Sequence, residues 1–147
     1  MREILFRGKV PNDYHIRQYL RGRWVEGSLV HQTACYGDVV DRYHILCNGE
    51  FDGDYYDSAE VIKETVGQFT GLLDKNGRKI FEGDIVRSVS RQNEIVGVMV
   101  FRNGGFELDW RSFNEFSMEQ GFSMIDSELG QVIIGNIHDN PELLEVR

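Results

Sequence analysis

The chain has 147 residues, 12% of them aromatic, with 16 Gly, 2 Pro and a formal net charge of −8. A chain of this length buries roughly 70% of the surface its unfolded form exposes, enough for a core without metal or disulfide support, and its composition excludes a disordered polymer. Its acidity works against binding phosphate backbones, whose nonspecific affinity comes from Lys and Arg.

Many Gly and few Pro suit short strands joined by tight turns better than a helical bundle. Ile4-Leu5-Phe6 opens a strand that Gly8 and Pro11 end. Asp13 to Leu20 sets Ile16, Tyr19 and Leu20 on one side of one or two helical turns. Trp24-Val25 and Ser28-Leu29-Val30 flank Glu26-Gly27 as a hairpin. Val39 to Cys47 reads as a strand turned by Asn48-Gly49. The acidic, aromatic stretch EFDGDYYD, Glu50 to Asp57, reads as a loop or a sheet edge. Ala59 to Val66 is rich in β-branched residues and reads as a strand.

The run Glu64 to Val86, ETVGQFTGLLDKNGRKIFEGDIV, is the most specific part of the chain. Leu72-Leu73 precede Asp74-Lys75-Asn76-Gly77, and Ile80-Phe81 follow. Asn76-Gly77 is a hairpin signal because both residues accept positive φ at little steric cost. Glu82-Gly83-Asp84 is a second reversal, with Gly83 supplying the unusual backbone angle and Asp84 accepting a local backbone N–H. Ile85 to Val89 is then a strand. Gln92-Asn93 turns into Ile95 to Phe101, an apolar run suited to burial on both faces. Asn103-Gly104-Gly105 reverses the chain into Phe106, Leu108 and Trp110, which alternate on one strand face. Phe113 and Phe116 sit at helical spacing. Gln131 to Ile137 is a last strand, and Asp139 or Asn140 caps a short helix with Pro141 at its first position and Leu143-Leu144 turned inward.

The fold class is therefore mainly β, with α+β as the alternative. Strands from Gly71 to Ile137 in meander order suit a five-stranded SH3-like or OB-like small barrel, with additional N-terminal strands and a short C-terminal helix. No composition shift marks a linker, so residues 1–147 read as a single domain with sub-modules at 1–69 and 70–147.

Three blocks resemble the YopX family, found mostly in phages and prophages. They are REILFRGKV at Arg2 to Val10, the central ETVGQFTGL and DKNGRKIFEGDIV, and IGNIHDNPELL from Ile134 to Leu144. Residues 11 to 60 lie between the first two blocks and match neither. The resemblance implies a phage or prophage accessory protein and brings no catalytic residue with it.

Candidates for chemistry are few. Glu50, Asp52, Asp54 and Asp57 form the densest carboxylate cluster, but the Gly and bidentate Glu of a calcium loop are not at their offsets, so a solvated acidic loop is the plainer reading. His15, His31, His44 and His138 have no His or Cys at metal-ligand spacing. Cys35 and Cys47 lack a CxxC pattern and read as reduced thiols, Cys47 as core filler. A Cys35–His44 dyad built across the fold needs an orienting partner that spacing does not supply. Arg17, Arg21 and Arg23 interleave with Tyr14, Tyr19 and Trp24, a pattern that single-strand binders use, although a solvated face beside a strand explains it as well. Phe106 and Trp110 serve equally as a stacking platform or as core. Gly104-Gly105 lacks the helix and Lys of a phosphate loop.

No cofactor, metal or catalytic residue is expected. There is no signal-peptide pattern and no apolar run of ~18 residues to cross a bilayer, so the expected location is the cytoplasm of the bacterial host, with no membrane partner. The preferred reading is a noncatalytic interaction module that binds a host or phage protein through a sheet edge or aromatic patch, alone or as a homo-oligomer. The alternatives are a nucleic-acid binder acting in phage replication or regulation, and an enzyme with an unrecognised site.

Overall fold

The computed structural model describes residues 1–51, 53–89, 94–109 and 130–144. Trp110, Phe113, Phe116, Asp52 and the Gln92-Asn93 turn lie outside the described residues. The described chain is built of antiparallel strands, and its longest helical segment is the four-residue 3-10 turn Pro141–Leu144. It divides into two units, Met1–Phe69 and Thr70–Arg147.

The first unit holds β1 (Phe6–Lys9), β2 (Trp24–Cys35), β3 (Asp38–Phe51), β4 (Asp54–Val61) and the start of β5 (Gly67–Leu73), in the order β4-β3-β2-β1-β5. Register explains the core. Leu29 faces Ile45, and Ile45 faces Ala59, so three apolar side chains line one face. Val10, Tyr14, Leu20, Val25, Ile45, Ala59 and Val61 are buried together there. The sheet coils on itself: the Ile62 N–H donates to the Lys9 carbonyl at 2.8 Å, although β3 and β2 stand between β4 and β1. The Thr65 hydroxyl locks the same junction. It accepts the Lys9 N–H at 2.9 Å and donates to the Ile62 carbonyl at 2.6 Å.

Several sequence expectations move here. Glu26-Gly27 is not a hairpin, because β2 runs through it. A β-carbon on Gly27 would stand 1.9 Å from the Leu46 carbonyl oxygen, so this glycine answers a close approach between strands rather than a turn. Gly8 likewise lies within β1, tight against Val61. Asn48-Gly49 does not turn the chain either. It sits beside a register shift between Leu46 and Gly49, and the reversal comes between Phe51 and Asp54, with Gly53 at φ 84°. Of the two readings of Glu50 to Asp57, the sheet edge holds: the stretch is the end of β3 and the start of the edge strand β4. Lys63–Thr65 is a 3-10 turn where a strand through Val66 was expected. The helical turns expected over Asp13 to Leu20 reduce to the 3-10 turn Gln18–Leu20. The hairpin that the residue pattern did not announce is β2–β3 itself, turned at Tyr36 and Gly37 with φ of 50° and 90°.

In the second unit the end of β5 pairs with β6 (Lys79–Phe81). β7 (Asp84–Val89), β8 (Glu94–Arg102), β9 (Gly105–Asp109) and β10 (Gln131–Asn136) form a sheet in the order β10-β7-β8-β9. Its ladders run in sequence from β10 to β9, and among the described residues no ladder joins those two edges into a barrel. Ile80, Val86, Met99, Leu108 and Ile133 make the core. β8 buries one face, through Gly97 and Met99, while its other residues are half-buried or, like Phe101, exposed. That differs from the two-faced burial its apolar run implied.

The turns follow their residues. Asp74 is buried, and its carboxylate accepts the N–H groups of Asn76 and Arg78, each at 2.9 Å, and of Ile133 at 3.2 Å. One side chain thus closes the β5–β6 turn and fastens β10. Gly83 takes φ 89°, and the Asp84 carboxylate accepts the Phe81 N–H at 2.8 Å. Asn103 and Gly104, at φ 53° and 80°, make the β8–β9 turn.

Burial pushes the Asp74 carboxyl up, but the backbone donors of Arg78, Ile133 and Asn76, with the Arg78 charge, hold it below the ordinary carboxylate range. Asp74→Ala is expected to destabilise the protein by about 2–4 kcal/mol at neutral pH, since the buried Ile133 N–H and two part-buried turn N–H groups lose a charged acceptor. The folded carboxyl titrates below the unfolded one, so its contribution is complete above the ordinary Asp pKa of about 4 and fades as pH falls through the folded value. Urea unfolding across pH 7 to 2 should show the wild type and variant converging at the acid end. Gly27→Ala is expected to cost roughly 3 kcal/mol from overpacking against a backbone atom, read as a lowered thermal midpoint.

Candidate functional site

The hairpin β3–β4 carries an open cleft of about 490 Å³ lined by Arg17, Gly49, Glu50, Tyr55, Tyr56 and Asp57. Two groups of residues that seemed unrelated in the sequence meet in it: the acidic, aromatic stretch and the first arginine of the basic one.

Gly49 shapes the cleft. A β-carbon there would lie 2.2 Å from Cζ and 2.4 Å from the hydroxyl of Tyr56. The bare α-carbon lets the Tyr56 ring lie across β3, where it packs against the core and sits 6.5 Å from the Tyr19 ring, tilted. Tyr55 instead stands in solvent at 78% exposure. Arg17 reaches the cleft from the segment before β2. One guanidinium nitrogen donates to the Ser58 carbonyl at 3.3 Å, and the other lies 3.8 Å from the Asp57 carboxylate. Asp57 is largely exposed, so this ion pair adds little stability.

Electrostatics set what the cleft presents to solvent. Cys47 is half-buried behind it and donates to the Ile45 carbonyl at 3.7 Å. Burial pushes its thiol up, the Asp57 charge adds to that, and Arg17 opposes it. Burial also raises the Tyr56 phenol, with Cys47 and Tyr19 contributing and Arg23 opposing. Both groups are held protonated, whereas a nucleophile needs its anion. What the cleft presents outward is two carboxylates, an exposed phenol ring and one partly neutralised guanidinium.

The other sequence candidates scatter. Arg21 donates through Nε to the Tyr14 carbonyl at 2.6 Å and Arg23 to the Tyr19 carbonyl at 2.9 Å, so with Arg17 the basic–aromatic segment fastens its own backbone. Trp24 lies under the Arg7 guanidinium at 4.6 Å. Asp54 opens β4, exposed. Among the described residues no three His, Cys, Asp or Glu side chains gather as a metal site. Cys35 faces Asp38 and His44 faces Val30, which puts the supposed dyad five strand positions, roughly 16 Å, apart. His44 Nε2 lies 3.2 Å from the Gln32 amide oxygen, His15 Nδ1 lies 3.0 Å from the Asp13 carbonyl, and His138 follows β10 in a turn where its N–H meets Asn136 Oδ1. Phe106 packs on the second core and meets Phe101 edge-on at 5.1 Å.

One cluster had no sequence signal. Asp41 holds His31 Nε2 at 2.6 Å and Lys63 Nζ at 3.0 Å, while the His31 ring stacks on Tyr43 at 4.3 Å. His31 and Tyr43 meet through strand register, and Lys63 through the coiling of the sheet. The bond from His31, then that from Lys63, holds the Asp41 carboxyl down. Beyond this knot the β2–β3 ribbon continues, among the described residues, without further strand partners, to Tyr36 and Val39, both almost fully exposed.

The described residues define an all-β protein of two antiparallel sheets with an open acidic cleft on one hairpin. The chain belongs to the YopX family: the family described as YopX protein matches residues 23–145, which takes in the central and closing motif blocks and much of the stretch from 11 to 60. The crystal structure of protein EF1440 from Enterococcus faecalis is similar, with a TM-score of 0.51 and 22% identity over 97% of this chain and 98% of that one, a likeness of fold. None of the curated proteins matches. Among the described residues no helix is long and apolar enough to cross a membrane.

If Asp57 and Arg17 act on Cys47 as described, Asp57→Asn is expected to speed alkylation of Cys47 by iodoacetamide at pH 8, and Arg17→Ala to slow it. Peptide mapping by mass spectrometry checks both directions.

Proposed function

We propose that this protein is a noncatalytic protein-interaction module, a phage or prophage accessory that binds a host or phage protein inside the bacterial cell. The observation that carries the reading is the β3–β4 cleft, in which Glu50, Asp57 and the exposed Tyr55 ring face solvent beside the last strand of a sheet. Carboxylates with an aromatic face suit a Lys or Arg side chain, by charge pairing and by cation–π contact. The partner surface is therefore basic, as the net charge of −8 also favours. The Arg17, Arg21 and Arg23 guanidinium groups are engaged with backbone carbonyls, which takes support from the nucleic-acid alternative.

The test is affinity purification from phage-infected cells with the wild type and with a Glu50→Gln, Asp57→Asn double variant. The expected result is a reproducible partner with a basic segment, whose affinity falls about tenfold in the variant, some 1.4 kcal/mol, and falls further as salt rises from 50 to 300 mM, conditions that screen exposed charges. A partner retained equally by both proteins would move the interface away from the cleft.

A further inference from the structure

We infer that the partner segment is an extended basic peptide that joins the outer edge of β4 as an added strand, with a Lys or Arg side chain entering the cleft. This rests on the reading of the cleft as a protein-binding site and goes beyond it by naming the backbone mode and the ligand class.

The edge itself supplies the first argument. β4 ends its sheet, with β3 on one side and no strand on the other among the described residues. The Ser58 carbonyl accepts from Arg17 and the Ile62 N–H donates to Lys9, and neither partner belongs to β3. Alternate residues of a strand turn their backbone groups to the same side. Even-numbered positions from Ser58 onward therefore face away from β3. Across the register shift the sense reverses, because Phe51 and Asp54 close the hairpin as a hydrogen-bonded pair and Gly49 and Tyr56 form the next, so Tyr55 presents its N–H and its carbonyl on the open side. Arg17 covers the Ser58 carbonyl and so limits the open edge to the stretch beside the cleft.

Charge selects the occupant. Between Tyr43 and Ile62 the sequence carries Glu50, Asp52, Asp54, Asp57 and Glu60 and no Lys or Arg. Sheet edges are commonly protected by charge, and carboxylates set directly across from carboxylates destabilise a pairing. A second copy of β4 is thus repelled from this edge, while a strand bearing Lys or Arg at alternate positions is attracted. Side chains on one face of such a strand meet Asp57, Glu50 and the Tyr55 ring, and main-chain bonds supply affinity that does not depend on sequence.

The probe is a blocked eight-residue peptide of alternating Lys and Thr. Two controls accompany it: the Glu–Thr analogue, and the Lys–Thr peptide with every backbone nitrogen methylated, which keeps the charge and removes the donors. Titration calorimetry and amide chemical shifts of the full chain are the readouts. The expected result is binding of the Lys–Thr peptide with shifts centred on Asp54 to Ser58, an affinity at least about tenfold lower after N-methylation, and no binding of the Glu–Thr analogue. Equal binding of the methylated and unmethylated peptides overturns strand addition and leaves the acidic cleft as the binding site. Binding of the Glu–Thr analogue as strong as that of Lys–Thr overturns the charge selection. Failure of all three to bind overturns both the inference and the reading beneath it.

Discussion

Gly49 sets the geometry from which the rest of the β3–β4 surface follows. Because that position has no β-carbon, the Tyr56 ring occupies the space a side chain would fill and packs against the first core. The register shift between Leu46 and Gly49 brings the glycine opposite Tyr56 at that point. Consecutive tyrosines then take opposite roles, one as packing and one as exposed surface. Burial behind them keeps Cys47 and Tyr56 protonated, so the outward chemistry is left to Glu50, Asp57, Tyr55 and Arg17.

The two units use buried or half-buried polar groups differently. In the second, both Asp74 carboxylate oxygens accept backbone donors, from one turn and one distant strand, and Asp84 accepts the local Phe81 N–H. These carboxylates are internal fasteners. In the first unit the fastening is done by arginines and a threonine acting on backbone groups: Arg17, Arg21 and Arg23 on carbonyls, and Thr65 on the β1–β4 junction. Glu50, Asp54 and Asp57, at the cleft end of the β3–β4 hairpin, are left facing solvent, whereas Asp41 is held by His31 and Lys63. That division of labour gives an acidic chain a defined acidic face rather than a uniform one.

How far the sequence foretold this depends on the range of the interaction that decides each element. Asn76-Gly77, Gly83-Asp84 and Asn103-Gly104 are local turn chemistry, and each turn lies where its residues put it. The family resemblance was legible for a related reason, since its central signature is made of those turns. Gly8, Gly27 and Gly49 misled, because a glycine demanded by a neighbouring strand looks the same in sequence as one demanded by a turn. With Gly27 and Gly49 as corners the long β2–β3 ribbon is lost from the sequence pattern, although the edge reading of Glu50 to Asp57 survives. The cleft was half visible: Glu50, Asp54 and Asp57 stood out as a cluster, and Arg17 as part of a stripe, but their meeting depends on a fold over some 40 positions. Thr65 shows the same limit on a smaller scale. Its β-branch suggested a strand, yet its hydroxyl has better use closing a turn onto β1.

Amide hydrogen exchange along β4 tests most directly whether this hairpin offers an unpaired edge. The account has Tyr56 and Ala59 bonded toward β3, so their amides should exchange slowly, while that of Tyr55 exchanges at a rate near that of an unstructured chain. Protection of Tyr55 as strong as that of Ala59, in the isolated protein, would mean that the edge is already occupied and would contradict the account.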